Sequence, residues 1–237
     1  MSDKLRPVEP ALPDLLTHKQ EGMEAKTEAV SALQPQQAME NGVAVTNYTE
    51  SSENVNRPIH PLKYSWCLWF LDGESSLTSW VERLDRVAAV STLEEFGALY
   101  QSMKEPSQLS PGTDLYFFKR EIRPLWDHPA NVKGGRWILS MGDNLGRMDA
   151  VWMHLLICIV GNWFRKLQTQ ICGVVANVRK RKSKICVWTK CASERTKTIK
   201  LGLAVKEFLK IQDMMVYEVH EGREKANHNG PKIIYRL

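Results

Sequence analysis

The chain has 237 residues and a mass of 27.1 kDa, with 43% hydrophobic and 25% charged residues, which excludes a wholly disordered or collagen-like chain. No run approaches the roughly 18 uncharged apolar residues that a membrane span needs, and residues 1–16 carry charges and prolines where a signal peptide needs an apolar core. Five cysteines (Cys67, Cys158, Cys172, Cys186, Cys191) are odd in number and form no CxxC pair, which argues against a disulfide framework or a zinc site. The expectation is a soluble intracellular protein without a metal or cofactor.

The net charge of +5 conceals a split. Residues 1–59 hold nine acidic residues against five Lys and Arg, so this tail is net −4 and the remaining chain net +9. The tail has one aromatic residue, Tyr48, and five of the eleven prolines. It cannot bury enough apolar surface to offset chain entropy, so it is expected to be disordered. A folded domain is expected over residues 60–237.

In chain order, strands are expected at 63–71, 83–90, 115–119, 136–140, 171–179, 184–189, 214–220 and 232–237, where bulky apolar residues cluster between turn signals. Helical spacing covers 93–103, 148–164 and about 195–210. Thr92 followed by Glu95 reads as a capping box, and Asp149 as a second helix start. Short connections without regular strand–helix alternation favour an α+β fold, an antiparallel sheet with helices on one face.

All eight tryptophans fall in the domain. Trp66, Trp69, Trp137, Trp152 and Trp163 lie in apolar elements and are expected in or near the core. Trp80 and Trp126 sit in polar or proline-flanked loops, where a large indole either marks recognition or folds back to plug the domain edge. The run Arg179-Lys180-Arg181-Lys182-Ser183-Lys184 places five cations in six residues at a hairpin tip. Such a tip can be merely solvated or serve as a localisation signal. Trp188 downstream and the basic domain favour binding, because aromatic platforms beside cations stack bases and track phosphates. No nucleophile–base pair is evident, so no enzyme is expected; His128, His154, His220 and His228 read as surface or packing residues.

His60-Pro61-Leu62, Trp66 and Leu68-Trp69-Phe70, Trp80, Glu95-Phe96 with Ala98-Leu99-Tyr100, Pro124-Leu125-Trp126, Gly134-Gly135-Arg136-Trp137, Cys172-Gly173-Val174-Val175 with Asn177-Val178-Arg179, and Lys184 before Ile185 and Trp188 occur in that order. This series resembles the translation initiation factor 4E family, which binds the 7-methylguanosine cap of messenger RNA, and the likeness spans about residues 60–237. The resemblance implies a curved antiparallel sheet of eight strands backed by three helices, with the cap in the concave face. It implies that Trp80 and Trp126 sandwich the methylated base and that Asp127 takes the guanine edge, in place of the family's usual Glu. Trp188 is implied near the N7 methyl, Arg179 and Lys184 at the phosphates, and Arg136 as a water-mediated contributor. Lys180, Arg181 and Lys182 extend the basic loop towards phosphate or RNA.

The resemblance also implies a convex patch that docks a helix of a scaffold subunit or repressor. It would be formed by His60, Pro61, Leu93, Gly97, Met153, His154 and Ile157. Gly97 replaces the family's central Trp and removes the largest apolar anchor. Met153 and His154 replace a leucine and an acidic residue. Two readings follow: a cap-binding initiation factor in the cytoplasm, with the nucleus as a second site, or a cap-binding repressor that sequesters messages with little scaffold binding. A general single-stranded RNA binder is a third.

Overall fold

The computed structural model describes residues 58–73, 79, 81–220 and 232–237. The tail through residue 57, Trp80 and His228 lie outside the described residues. Eight strands form one curved antiparallel sheet. They are β1 (Pro61–Leu71), β2 (Leu84–Thr92), β3 (Asp114–Lys119), β4 (Gly135–Gly142), β5 (Ile171–Asn177), β6 (Ser183–Thr189), β7 (Met215–Val219) and β8 (Ile233–Arg236), in the spatial order β2-β1-β3-β5-β6-β4-β7-β8. Helices α1 (Leu93–Ser102), α2 (Leu145–Val160) and α3 (Arg195–Leu209) follow β2, β4 and β6. The eight expected strands and three expected helices are all present, within a few residues at their ends.

Side chains on successive strand residues point to opposite faces, and here the two faces have different tasks. Trp66 and Leu68 of β1, Phe117 of β3, Trp137 and Leu139 of β4, Ile185 and Val187 of β6 and Tyr217 of β7 join residues of all three helices in one core. Helix α3 comes so close to the sheet that a Cβ on Gly202 would sit 2.6 Å from the Trp137 ring, while the Trp137 Nε1 donates to the Thr198 carbonyl at 3.0 Å. The alternate residues Cys67, Trp69, Tyr116, Phe118, Cys186 and Trp188 form a smaller cluster on the other face, which no helix residue joins. That uncovered face is where a ligand can reach the sheet.

The capping box forms as expected. Glu95 N donates to Thr92 Oγ1 at 3.1 Å, and Thr92 N donates to Glu95 Oε2 at 3.2 Å. Two expectations are corrected. Helix α2 starts at Leu145 under Asn144, whose side chain accepts from Arg147 N at 3.0 Å; Asp149 lies inside the helix and accepts from Ser107 N at 2.8 Å. The helix also ends at Val160, because Asn162 takes φ 55° and Arg165 φ 50°, conformations that no right-handed helix contains. Trp163 falls beyond that break and is 50% exposed, not in the core.

Candidate functional site

The segment 120–134 between β3 and β4 carries Trp126 back to the uncovered face. Its brace is Asn131, which is fully buried and donates from Nδ2 to the carbonyls of Arg123 at 3.0 Å and Leu125 at 2.7 Å. The Asn131 carbonyl accepts from His220 Nδ1 at 2.9 Å, which fixes that ring's tautomer. Gly134 and Gly135 let the segment rejoin the sheet, since a Cβ on Gly135 would meet Tyr217 at 2.6 Å and one on Gly134 would strike the Thr189 carbonyl.

Trp126 rests on Trp188 with ring centroids 4.1 Å apart and planes at 34°. His220 abuts both indoles, edge-on to Trp126 at 4.5 Å and tilted against Trp188 at 4.4 Å. Burial holds the His220 pKa down to about 4, helped by the positive charge of Arg136 and opposed by the Asn131 carbonyl, so the ring is neutral at physiological pH. The Arg136 guanidinium lies 4.9 Å from the centre of the Trp126 ring.

Trp126 walls a cavity of about 180 Å³ together with Asp114 and Tyr116 of β3, Arg136 of β4, Val175 and Asn177 of β5, Lys184 and Trp188 of β6, and Arg179 just past β5. Ordinary ligand pockets run to roughly 300–1,000 Å³, so this one is small. Both arginines are tied to buried carboxylates. Arg136 Nη2 meets Glu218 Oε2 at 3.1 Å across the β4–β7 pair, and Arg179 Nη1 meets Asp114 Oδ1 at 2.7 Å. The Tyr116 hydroxyl donates to the other Asp114 oxygen at 3.0 Å, and burial beside that carboxylate pushes its pKa far above the usual phenol value. Three cations therefore face two carboxylates, and the cavity keeps a positive balance.

Ser183 shapes the mouth. Its hydroxyl accepts from Arg179 N at 2.9 Å and donates to Arg179 O at 2.8 Å, closing the turn so that Lys180, Arg181 and Lys182 stand out in water. Asp127 is exposed beside Trp126. The structure thus gathers Trp126, Asp127, Arg136, Arg179, Lys184 and Trp188 at one end of the uncovered face. Asp114, Asn131, Glu218 and His220 also belong there, and none was singled out from the sequence as a site residue. A flat, electron-poor ring carrying an anionic tail suits indoles flanked by cations. Among the described residues no group of three or more His, Cys, Asp or Glu is placed to hold a metal.

Elsewhere, Leu93 N donates to His60 O at 2.9 Å and His60 Nδ1 meets Glu94 Oε1 at 2.6 Å, which joins His60, Pro61 and Leu93 at the start of α1. Gly97 lies one turn on, with nothing within 4 Å of where a Cβ would stand. Met153, His154 and Ile157 share a stripe of α2, on which Met153 is half-buried and Ile157 is 42% exposed.

The family model for eukaryotic initiation factor 4E matches residues 61–234. The chain belongs to the initiation factor 4E family. It is 37% identical over 185 residues to eukaryotic translation initiation factor 4E-1 of Caenorhabditis elegans, covering 73% of this chain and 87% of that protein. It is 34% identical over 186 residues to eukaryotic translation initiation factor 4E type 1B of Mus musculus, covering 77% and 76%. Among solved 4E structures, the complex of C. elegans eIF4E-3 with the 4E-binding protein Mextli and cap analog matches with a TM-score of 0.70 at 33% identity, over 76% of this chain and 100% of that one. The complex of Ascaris suum eIF4E-3 with m7G cap matches with a TM-score of 0.70 at 33% identity, over 76% and 98%.

Proposed function

We propose that this member of the 4E family binds the 7-methylguanosine cap of messenger RNA and acts in translation initiation. The observation that carries the reading is the close, tilted pair Trp126–Trp188 at a cavity lined by Arg136, Arg179 and Lys184, in a fold whose relatives were solved with cap ligands. Methylation at N7 makes guanine cationic. An indole face then contributes about 0.5–2 kcal/mol of cation–π attraction beyond the roughly 1–3 kcal/mol of ordinary base stacking. Trp126 takes one face of the base and Trp80, from the β1–β2 connection, the other, with Trp188 near the N7 methyl. Asp127 accepts from the N1 and N2 edge, with one methylene less reach than glutamate. Arg179 and Lys184 take the phosphates, Arg136 assists through water, and Lys180, Arg181 and Lys182 track the chain that follows.

The domain at residues 60–237 is the binding unit and residues 1–59 form a separate acidic tail. The protein is a binder rather than an enzyme, working in the cytoplasm with the nucleus as a second site. Its protein partner is an initiation scaffold or a repressor carrying a helical motif, docked on His60, Pro61, Leu93, Met153, His154 and Ile157. Open space at Gly97 favours a second reading, message sequestration with weak scaffold binding. Titration with 7-methyl-GTP should quench indole emission, with GTP at least about tenfold weaker because it forfeits the cation–π contribution. Trp126→Ala should lose retention on cap resin. Equal binding of GTP and 7-methyl-GTP would reject the reading.

A further inference from the structure

Arg136 and Glu218 stand directly opposite each other in the β4–β7 pair, on the face that carries the cavity. Their side chains are 9% and 3% exposed, and Nη2 meets Oε2 at 3.1 Å. The same guanidinium lies 4.9 Å from the centre of the Trp126 ring, and its Nε is buried without an acceptor although the residue lines the cavity. A cation clasped in this way is oriented by its carboxylate, and its charge is largely neutralised for any third group. Asp114 holds Arg179 by a similar pair, but that guanidinium remains 39% exposed and can turn towards a ligand. Arg136 is too enclosed to do so while Glu218 holds it.

We infer that Glu218 is a positioning residue that sets the charge this cavity offers to an anionic ligand. Its carboxylate keeps Arg136 beside Trp126 and withholds one cation from direct contact with the ligand's phosphates. The inference deepens the cap-binding reading and rests on it for the identity of the ligand, while the ion pair and the charge it withholds stand independently of that identity. Glu218→Gln removes the charge yet leaves an amide oxygen that accepts from Nη2, so Arg136 stays solvated by a hydrogen bond while its charge becomes available.

The test measures binding of inorganic tripolyphosphate, 7-methyl-GMP and 7-methyl-GTP across a series of salt concentrations, with wild type, Glu218→Gln and Glu218→Gln/Arg136→Gln. Glu218→Gln is expected to bind tripolyphosphate and 7-methyl-GTP at least about threefold more tightly, with little gain for the monophosphate. Its log-affinity against log-salt slope should steepen by about one, as one more cation meets phosphate. The second substitution should erase both changes. A merely structural Glu218 would alter the unfolding midpoint without changing the slope or the dependence on phosphate number. An unchanged slope in Glu218→Gln, or a gain that persists in the double variant, overturns the inference. If Glu218→Gln fails to fold, Glu218→Asp, which keeps the charge but draws it back from Nη2, should steepen the slope by a smaller amount, and a wild-type slope there overturns the inference as well. Failure of the wild type to prefer 7-methyl-GTP over GTP would reject the cap reading while the tripolyphosphate comparison still decides the role of Glu218.

Discussion

His220 is a buried histidine whose partners lie far from it in sequence. It is 4% exposed, touches both Trp126 and Trp188, and hands its one ring proton to Asn131. Its pKa is lowered from 6.5 to about 4, so between these values the unfolded chain binds a proton that the folded chain refuses. Stability must then fall as pH drops through that window and level off below it. The full loss is on the order of 3 kcal/mol for a shift of this size. The unfolding midpoint should therefore decline below about pH 6, and His220→Gln should flatten that decline. A wild-type slope in the variant would show that other groups cause it. This residue also shows the limit of reading a site from sequence. Trp126, Arg179, Lys184 and Trp188 could be singled out because an indole on a loop, and cations at a hairpin tip with an indole just downstream, are conspicuous locally. Glu218 sits in β7 like any alternating polar residue and His220 just past its end, and their meaning comes from Arg136 and Asn131, which lie 82 and 89 positions away.

Strands and helices were legible almost throughout, for a physical reason visible in β1. Trp66 and Leu68 fill one core while Cys67, Trp69 and Leu71 fill the other, so the strand is bulky and apolar at nearly every position and has few alternatives. The errors fall where local signals compete. Asn144 caps α2, although Gly146 in its first turn is a poor helix former and the apolar spacing begins only at Met148. The left-handed Asn162 then ends the helix before Trp163, which its apolar neighbours had made look buried. Helix α1 carries the element-scale consequence for partners. Leu93 is 50% exposed and a Cβ at Gly97, one turn later, would meet nothing within 4 Å, so a larger side chain can start there without a clash. It would also remove a helix-interior glycine that costs about 1 kcal/mol relative to alanine. Gly97→Trp should raise affinity for a scaffold-derived helical peptide by tenfold or more, since an aromatic anchor contributes about 2 kcal/mol. Unchanged peptide binding by calorimetry would place the defect elsewhere on the patch.

At the scale of the whole molecule, what decides independence of the domain from the tail is where the buried side chains begin and end. Among the described residues the core runs from Trp66 to Tyr217, and β1 is an interior strand already paired on both sides, with β2 and with β3. The first described residues, Pro58 to His60, are exposed, and His60 is fastened by Glu94 through both its backbone N–H and its ring. A domain closed in this manner draws its stability from contacts that begin at β1, and truncation tolerance follows from backbone burial rather than position in the chain. Any long-range charge effect of the acidic tail on the basic site is screened by physiological salt beyond about 8 Å. Deleting residues 1–57 should leave the unfolding midpoint within about a degree of the full chain. It should also leave 7-methyl-GTP affinity at 150 mM salt within about twofold, a difference small against the tenfold that corresponds to 1.4 kcal/mol. A large fall in either would mean that the tail supplies structure or contacts to the domain, and a rise in affinity on deletion would mean that it competes with the ligand's phosphates for the cations of the cavity.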